Sequence, residues 1–389
     1  MSEHRAAADV AVIGGGAIGL SIAWRAAARG MDVVVLERGR AGKGTSHYAA
    51  GMLAPIAEVT PGEEPLLELG LRSAKLYPAF VAELLATAGV DTVGYTTSGT
   101  LLVARDADEA EALERELELR RRFGLDVERL RPSEARRREP GLAPALRLAL
   151  DVPGDHAVDP RALVPALARA VRACGGQVRE NAPVAAVERN DERIAAVRLA
   201  DGSRVRSRAV VIAAGVWSSQ IEGAVVSEPV PLRPVKGQIM RLHDPAGPGL
   251  LQRVIRMGSS YITPRGDGRY VIGATSEERG FDTTVTAGAA FELLRDASEL
   301  VPGISELVLD EFSAGLRPGT PDNLPAIGPG EIDGLHWAVG HRRGGILLAP
   351  VTAELIVGSL LGGGAGGSLP EAAAFAPGRF AASPAGGGR

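Results

Sequence analysis

The 389-residue sequence predicts an α/β (α+β) protein of two domains, one built on a parallel sheet and the other on an antiparallel sheet with helices. Three observations predict it. A complete β-α-β unit opens the chain, charged helical and strand patterns break that alternation after residue 89, and from residue 231 short strand runs precede the next helix.

In residues 9–39, "DVAVIGGGAIGLSIAWRAAARGMDVVVLERG", a strand, a glycine turn, a helix closing at Gly30 and a strand ending at Glu37 follow in order. Both strands are continuous β-branched runs, the pattern of a parallel sheet buried on both faces. Residues 66–89 have helical periodicity, with Pro78 predicted to break or kink the helix. "TSGTLLVAR" is strand-like, residues 106–124 read as an amphipathic charged helix, and "RPSEARRREPGL" as a short capped helix stopping at Pro140. A helix with Pro160 at its start follows, then strands at "VAAVER" and "IAAVRLADGSRVRSRAVVIAAG" that turn at Asp201-Gly202. "VKGQIMRL", "YITPRG" and "RYVIGAT" are further strands, leading to a helix near residues 289–300 and a last helix near 350–361. The Gly/Ala/Pro-rich end predicts a flexible tail.

Composition narrows the function. With 43 Lys+Arg against 47 Asp+Glu the net charge is −4, so no basic excess points to nucleic acid or to an anionic membrane surface. The single cysteine, Cys174, excludes an internal disulfide framework and a cysteine zinc cluster, and fits a reducing, cytoplasmic setting. His47, His156, His336 and His341 lack metal-ligand spacing, so no metal is expected. The longest apolar stretch, broken by Pro350 and Glu354, falls short of a membrane span.

"GGGAIG", residues 14–19, satisfies G-x-G-x-x-G after a strand and at the opening of a helix. Gly14 allows the tight turn, Gly16 lets the backbone approach a pyrophosphate, and Gly19 permits close helix–strand packing. The helix N-terminus, with Ala17 and Ile18, offers N–H groups and partial positive charge. Glu37 lies where a carboxylate accepts ribose hydroxyls, next to Arg38. Dinucleotide binding on a Rossmann-like domain is therefore expected. "AAG", ending at Gly215, resembles the second dinucleotide-contacting strand of flavoproteins, although it fits an ordinary strand exit equally well.

The segments "GKGTSHYAAGMLAP", "PVKGQI", "YITPR", "VIGAT", "AGLRPGTPDNLPAIG" and "GHRRGGILLAP" stand in the same order as in the FAD-dependent amine oxidases of the D-amino acid oxidase family. Between Asp9 and about Phe380 the chain resembles that family, within it the glycine oxidases of thiamine biosynthesis. The resemblance implies non-covalent FAD, with Thr45, Ser46, Ala50, Gly51 and Met52 along the flavin and its ribityl-phosphate arm, and Val184 at the adenine. It places His341, Arg342, Gly344, Gly345, Ile346 and Leu347 near the flavin, where the helix opened by Pro350 directs its N–H groups at the ring edge. Met52 also reads as plain core filling. The implied domains are an FAD-binding one from residues 1–85, 150–225 and 315–380, and a substrate-binding one from 86–149 and 226–314, with 381–389 as a flexible tail.

The same resemblance implies that Arg317, Arg343 and Tyr261 line a substrate pocket. A guanidinium cannot lose its charge, and its fork of donors matches an amino-acid carboxylate. From the residues alone, Arg317 also fits an ion pair with an internal carboxylate such as Asp322, Arg343 a solvated loop charge, and Tyr261 plain packing. No convincing catalytic base is evident. Ser259 stands where the family can carry a histidine, and Gly344 where it often carries asparagine, which leaves glycine, sarcosine, D-alanine and D-proline open as substrates. The expected reaction is hydride transfer to FAD and reoxidation by O2 giving H2O2 and an imine or glyoxylate. A homotetramer and a thiazole-synthase pathway partner are family expectations. The alternatives are a D-amino acid dehydrogenase feeding a quinone or carrier, and a non-enzymatic or tRNA-modification flavoprotein.

Overall fold

The computed structural model describes residues 7–225, 229–258, 260–362 and 372–380. Ser259 and the predicted tail 381–389 lie outside the described residues. Two eight-stranded sheets organise the described residues.

In the first sheet, Ala8–Ile13 lies between Val33–Leu36 and Arg204–Ile212, all three parallel. Gln177–Arg179 extends it in parallel on one side and Leu335–Val339 on the other. Ala326–Pro329 adds an antiparallel edge, and Val184–Asn190 with Arg193–Leu199 forms a meander on Arg204–Ile212. Val10, Ala11 and Val12 are buried on both faces of the sheet, which explains why the strand has no polar alternation. Because the chain leaves Ala8–Ile13 towards one neighbour while the other neighbour comes from far along the sequence, a crevice opens beyond Ile13 and Ile212.

Helix Ala17–Ala27 closes this crevice and packs against helices Pro160–Ala173 and Ala349–Leu360. Its Trp24 meets Phe80 edge-on at 5.2 Å. Phe80 belongs to a helix that runs unbroken over Glu64–Ala88, with Pro78 inside it, so the predicted break does not occur. Tertiary burial outweighs the lost N–H: Tyr77, Phe80, Val81 and Leu84 flank Pro78 in the core, and the helix ends at Gly89, whose φ of 60° is left-handed.

The second sheet runs Val308–Gly319, Arg233–His243, Arg269–Gly273, Ser260–Pro264, Val254–Met257, Thr100–Ala104, Leu148–Val152, Glu128–Leu130. Neighbours are antiparallel except Val254–Met257 on Thr100–Ala104. Residues 313–329 are rich in turn-forming glycine and proline, yet their first part is extended: Val308–Gly319 is a strand paired along its length with Arg233–His243. Its glycines lie in extended backbone and face the neighbouring segment, where a side chain would collide: a Cβ at Gly315 would press on Tyr48.

Period-two alternation sorts this sheet's faces. Met240, Leu242, Ile255, Met257 and Ile262 pack under helix Ala287–Leu300, beside Leu293 and Ala297. Val235, Gly237, Ile239, Arg256, Tyr261, Gly315 and Arg317 point to the opposite side, towards the crevice of the first sheet. None of the described helices is long and apolar enough to cross a membrane.

Candidate active site

A cavity of about 540 Å³ runs between the two sheets, from the glycine turn at one end to Arg317 at the other. Of the residues singled out in the sequence, Gly14, Gly16, Ala17, Ile18, Glu37, Arg38, Thr45, Ser46, Ala50, Gly51, Met52, Val184, Gly215, Tyr261, Arg317, His341, Arg342, Arg343, Gly345 and Ile346 line it. Gly19, Gly344 and Leu347 do not. Gly19 packs on the Gly14 carbonyl. Gly344 and Leu347 border a smaller neighbouring cavity of about 40 Å³, and the Leu347 carbonyl accepts from Ser73 Oγ at 2.6 Å.

At the glycine turn, Gly14 has φ +112° and a Cβ there would strike the Ala213 carbonyl. Gly16 is the N-cap of the first helix and has no side chain to cover it, while Ser46 Oγ accepts from the Ala17 N–H at 3.0 Å. The Glu37 carboxylate is pinned by the Gly15 N–H at 2.7 Å and the Gly39 N–H at 2.9 Å. Arg38 stacks 3.7 Å over the Trp217 ring. A helix N-terminus whose N-cap has no side chain, a cradle that any Cβ would fill and a fixed carboxylate at the next strand end suit a dinucleotide's diphosphate and ribose.

In the middle, Thr45 Oγ1 donates to the Leu316 carbonyl at 2.8 Å and so ties the cofactor-side loop to the second sheet. Met52 lines the cavity and also packs against the Ala54–Leu102 cluster. Burial pushes the His341 imidazole down to about 3; it is therefore neutral, and its Nε2 meets Thr352 Oγ1 at 3.0 Å. Tyr77 and Ser73 donate to the carbonyls of Ile346 (3.0 Å) and Leu347, which fixes the turn before the last helix.

At the far end, Arg317 and Tyr261 converge. The Arg317 guanidinium lies over Gly237, where a Cβ would come within 2.5 Å of its Cζ, and the Tyr261 ring lies over Gly273. Arg317 Nη1 donates to the Thr275 carbonyl at 3.1 Å, and the guanidinium is close enough to act electrostatically on the Tyr261 hydroxyl. Among the described residues it has no carboxylate partner; Asp322 pairs instead with Arg379 at 2.8 Å. Burial raises the Tyr261 pKa, with Arg317 pulling the other way, so the phenol keeps its proton at neutral pH.

Arg343 is compensated within the protein: it donates to the Glu58 carbonyl at 2.7 Å and lies 3.5 Å from the Glu58 carboxylate and 3.4 Å from that of Glu63. Glu63 also stands 3.9 Å from Arg342. Sequence reasoning missed Arg256, Glu58, Gly237 and Trp217 as cavity residues. For Arg256 and Gly237 the available signal was strand alternation, which puts them in phase with Tyr261 and Ile239.

The chain matches the model of the family described as DAO, FAD dependent oxidoreductase, over residues 9–358. Among curated proteins, it is 38% identical over 350 residues to the glycine oxidase of Geobacillus kaustophilus, covering 90% of this chain and 91% of that one. It is also 38% identical over 378 residues to the bifunctional protein ThiO/ThiG of Synechocystis, covering 96% of this chain but only 54% of that one, so it spans about half of that relative. Among solved structures, the glycine oxidase of Geobacillus kaustophilus superposes with a TM-score of 0.88 at 35% identity, over 96% of this chain and 98% of that one. With that match spanning nearly the whole cavity-bearing chain, the protein belongs to the DAO family of FAD-dependent oxidoreductases, enzymes of the class that act on CH–NH2 groups.

Proposed function

We propose that this chain oxidises glycine or another small amine with an α-carboxylate, such as sarcosine, D-alanine or D-proline. The observation that carries the reading is Arg317: a half-buried guanidinium beside a protonated phenol, without a carboxylate partner among the described residues, in a cavity whose other end suits the dinucleotide part of FAD. A substrate carboxylate would supply the missing anion through a bidentate contact, with Tyr261 adding a hydrogen bond; charge-assisted bonds of this kind contribute about 1.5 to 3 kcal/mol. FAD, when bound, supplies the hydride acceptor, and O2 regenerates it with release of H2O2. The protein's part is placement: Arg317 and Tyr261 orient the substrate's α C–H, and Thr45 holds the cofactor-side loop against the strand that bears Arg317. The imine product either hydrolyses, for glycine to glyoxylate and ammonia, or is passed on intact. The similarity to ThiO/ThiG and the glycine oxidases supports a place in supplying the thiazole precursor of thiamine, in the cytoplasm, with a thiazole synthase consuming the imine.

Anaerobic titration of the yellow holoprotein with glycine, sarcosine, D-alanine and D-proline tests this. Loss of the flavin band with at least one amine, and H2O2 on admitting air, are expected. A flavoprotein that no amine bleaches overturns the reading, and bleaching without peroxide points to a dehydrogenase with another acceptor.

A further inference from the structure

We infer that Arg241 and Arg265, two buried guanidinium groups behind the middle of the cavity wall, are positioning residues for the flavin: they fix the segment 47–51 against it and supply a positive field that makes it a stronger hydride acceptor. This rests on FAD binding and not on which amine is oxidised. The diphosphate end of the cavity is the glycine turn and the other end is Arg317, so the ring of a bound FAD lies between them, where Tyr48, Ala49, Ala50, Gly51 and Met52 form the wall. Arg241 and Arg265 do not line the cavity. Strand alternation puts them on the cavity-facing side of the second sheet, Arg241 two residues beyond Ile239 and Arg265 four beyond Tyr261. The segment 47–51, to which they bond, therefore stands between them and the cavity.

Backbone carbonyls hold both side chains. Arg241 Nη2 donates to the His47 carbonyl at 2.9 Å, which also accepts from Arg161 Nε at 3.1 Å. Arg265 donates to the carbonyls of Ala50 (2.7 Å) and Val158 (2.9 Å). A trans peptide points its C=O and N–H in opposite directions, so tying the Ala50 carbonyl to Arg265 turns the Gly51 N–H towards the cavity. That N–H has no acceptor among the described residues although Gly51 is buried, and a buried donor of this kind is satisfied by a ligand atom. Gly51 is itself locked: its carbonyl accepts from the Val158 N–H at 2.9 Å, its φ is +80°, and a Cβ there would strike the Val158 carbonyl.

The two charges are also undercompensated. Glu311 pairs with Arg161 at 2.8 Å and Asp159 with Arg269 at 3.3 Å, whereas Arg241 and Arg265, 9% and 7% exposed, form no ion pair among the described residues. Burial brings both guanidinium pKa values down to about 10, which leaves both groups charged at neutral pH. A ring that takes a hydride gains one negative charge, and fixed positive charge in a dry wall favours that form. The reaction is otherwise unchanged: the hydride leaves the substrate C–H bond, and neither arginine exchanges a proton.

The test is the midpoint potential of bound FAD, measured by dye equilibration in the FAD-loaded wild type, Arg241→Gln, Arg265→Gln, Arg265→Lys and Glu311→Gln. Each arginine-to-glutamine change should shift the reduction equilibrium at least tenfold towards oxidised flavin, about 30 mV for a two-electron couple. Arg265→Lys keeps the charge but not the fork that spans two carbonyls, and should recover most of that shift. Glu311→Gln removes the negative charge that faces Arg161 and Arg241, and should move the potential the other way. Weaker FAD affinity or a lower melting temperature at an unchanged potential would assign both arginines to holding the segment and overturn the proposal. A lysine variant whose potential matches that of the glutamine variant would overturn it as well. Should the glutamine variants not take up FAD, Glu311→Gln decides alone, and a potential that does not rise overturns the proposal. A wild type that takes up no FAD overturns it together with the assignment of the cavity to the cofactor.

Discussion

Arg317 donates to two backbone carbonyls and lies beside the Tyr261 phenol, so its removal should act on substrate and not on fold. Arg317→Ala is expected to raise the amine concentration for half-maximal flavin bleaching tenfold or more, about 1.4 kcal/mol per decade, with flavin content unchanged. An unchanged titration would assign the arginine to structure. Gly237→Ala tests the same geometry from below. Its Cβ would occupy the space of the guanidinium, the far end of a flexible side chain, so the arginine moves and the backbone stays. KM should rise while the melting temperature holds; a normal KM would show that the guanidinium tolerates displacement. Arg317 was legible in the sequence as a charge in a turn-rich run, but its partner was not, because Asp322 is near in sequence and faces Arg379 in space.

Among the elements, the segment after Met52–Leu53 is held with unusual completeness. The buried Asp155 carboxylate accepts from the N–H groups of Ile56 (3.1 Å) and Ala57 (2.6 Å), and the buried Arg120 donates to both carbonyls (3.0 and 2.9 Å). Burial pushes the Asp155 pKa up to about 7, against the pull of these N–H groups. A carboxyl whose folded pKa lies above its unfolded value binds more protons when folded. Its contribution is complete below about pH 4 and is lost as pH rises through about 7, by at most about 1.4 kcal/mol per pH unit. Asp155→Asn should therefore flatten the dependence of the holoprotein's melting temperature on pH between those values; a slope identical to wild type would show that Asp155 does not titrate there. Nothing in the sequence announces this clamp, since Arg120 reads as one charge in a solvated helix and lies 64 residues from the carbonyl of Ile56. The glycine turn is the opposite case, because strand, turn and helix are all local. Gly14→Val, which combines φ +112° with a clash on Ala213, should yield protein without flavin absorbance.

At the scale of the molecule, the cavity belongs to neither sheet alone: Gly14, Glu37 and Gly215 come from one, and Gly237, Tyr261 and Arg317 from the other. FAD bridging the two should stabilise them together, so the melting temperature of the apoprotein should rise with added FAD as mass action requires. A melting temperature insensitive to FAD would mean that the cavity does not hold it. The element types were readable because each strand or helix declares its own period, as in residues 9–39 and 106–124. The pairing of Val308–Gly319 with Arg233–His243 was not, since two glycines and a proline in the strand mimic a turn, and its register depends on contacts with residues some 75 positions away in the sequence.

The trough that receives Arg317 and Tyr261 is shaped by what is missing at Gly237 and Gly273. A space defined by absent side chains can only be narrowed by a substitution at those positions, never widened. Divergence towards bulkier substrates is therefore closed along this floor. It must proceed through the walls, where Arg256, Ser276 and Glu58 still have atoms to lose.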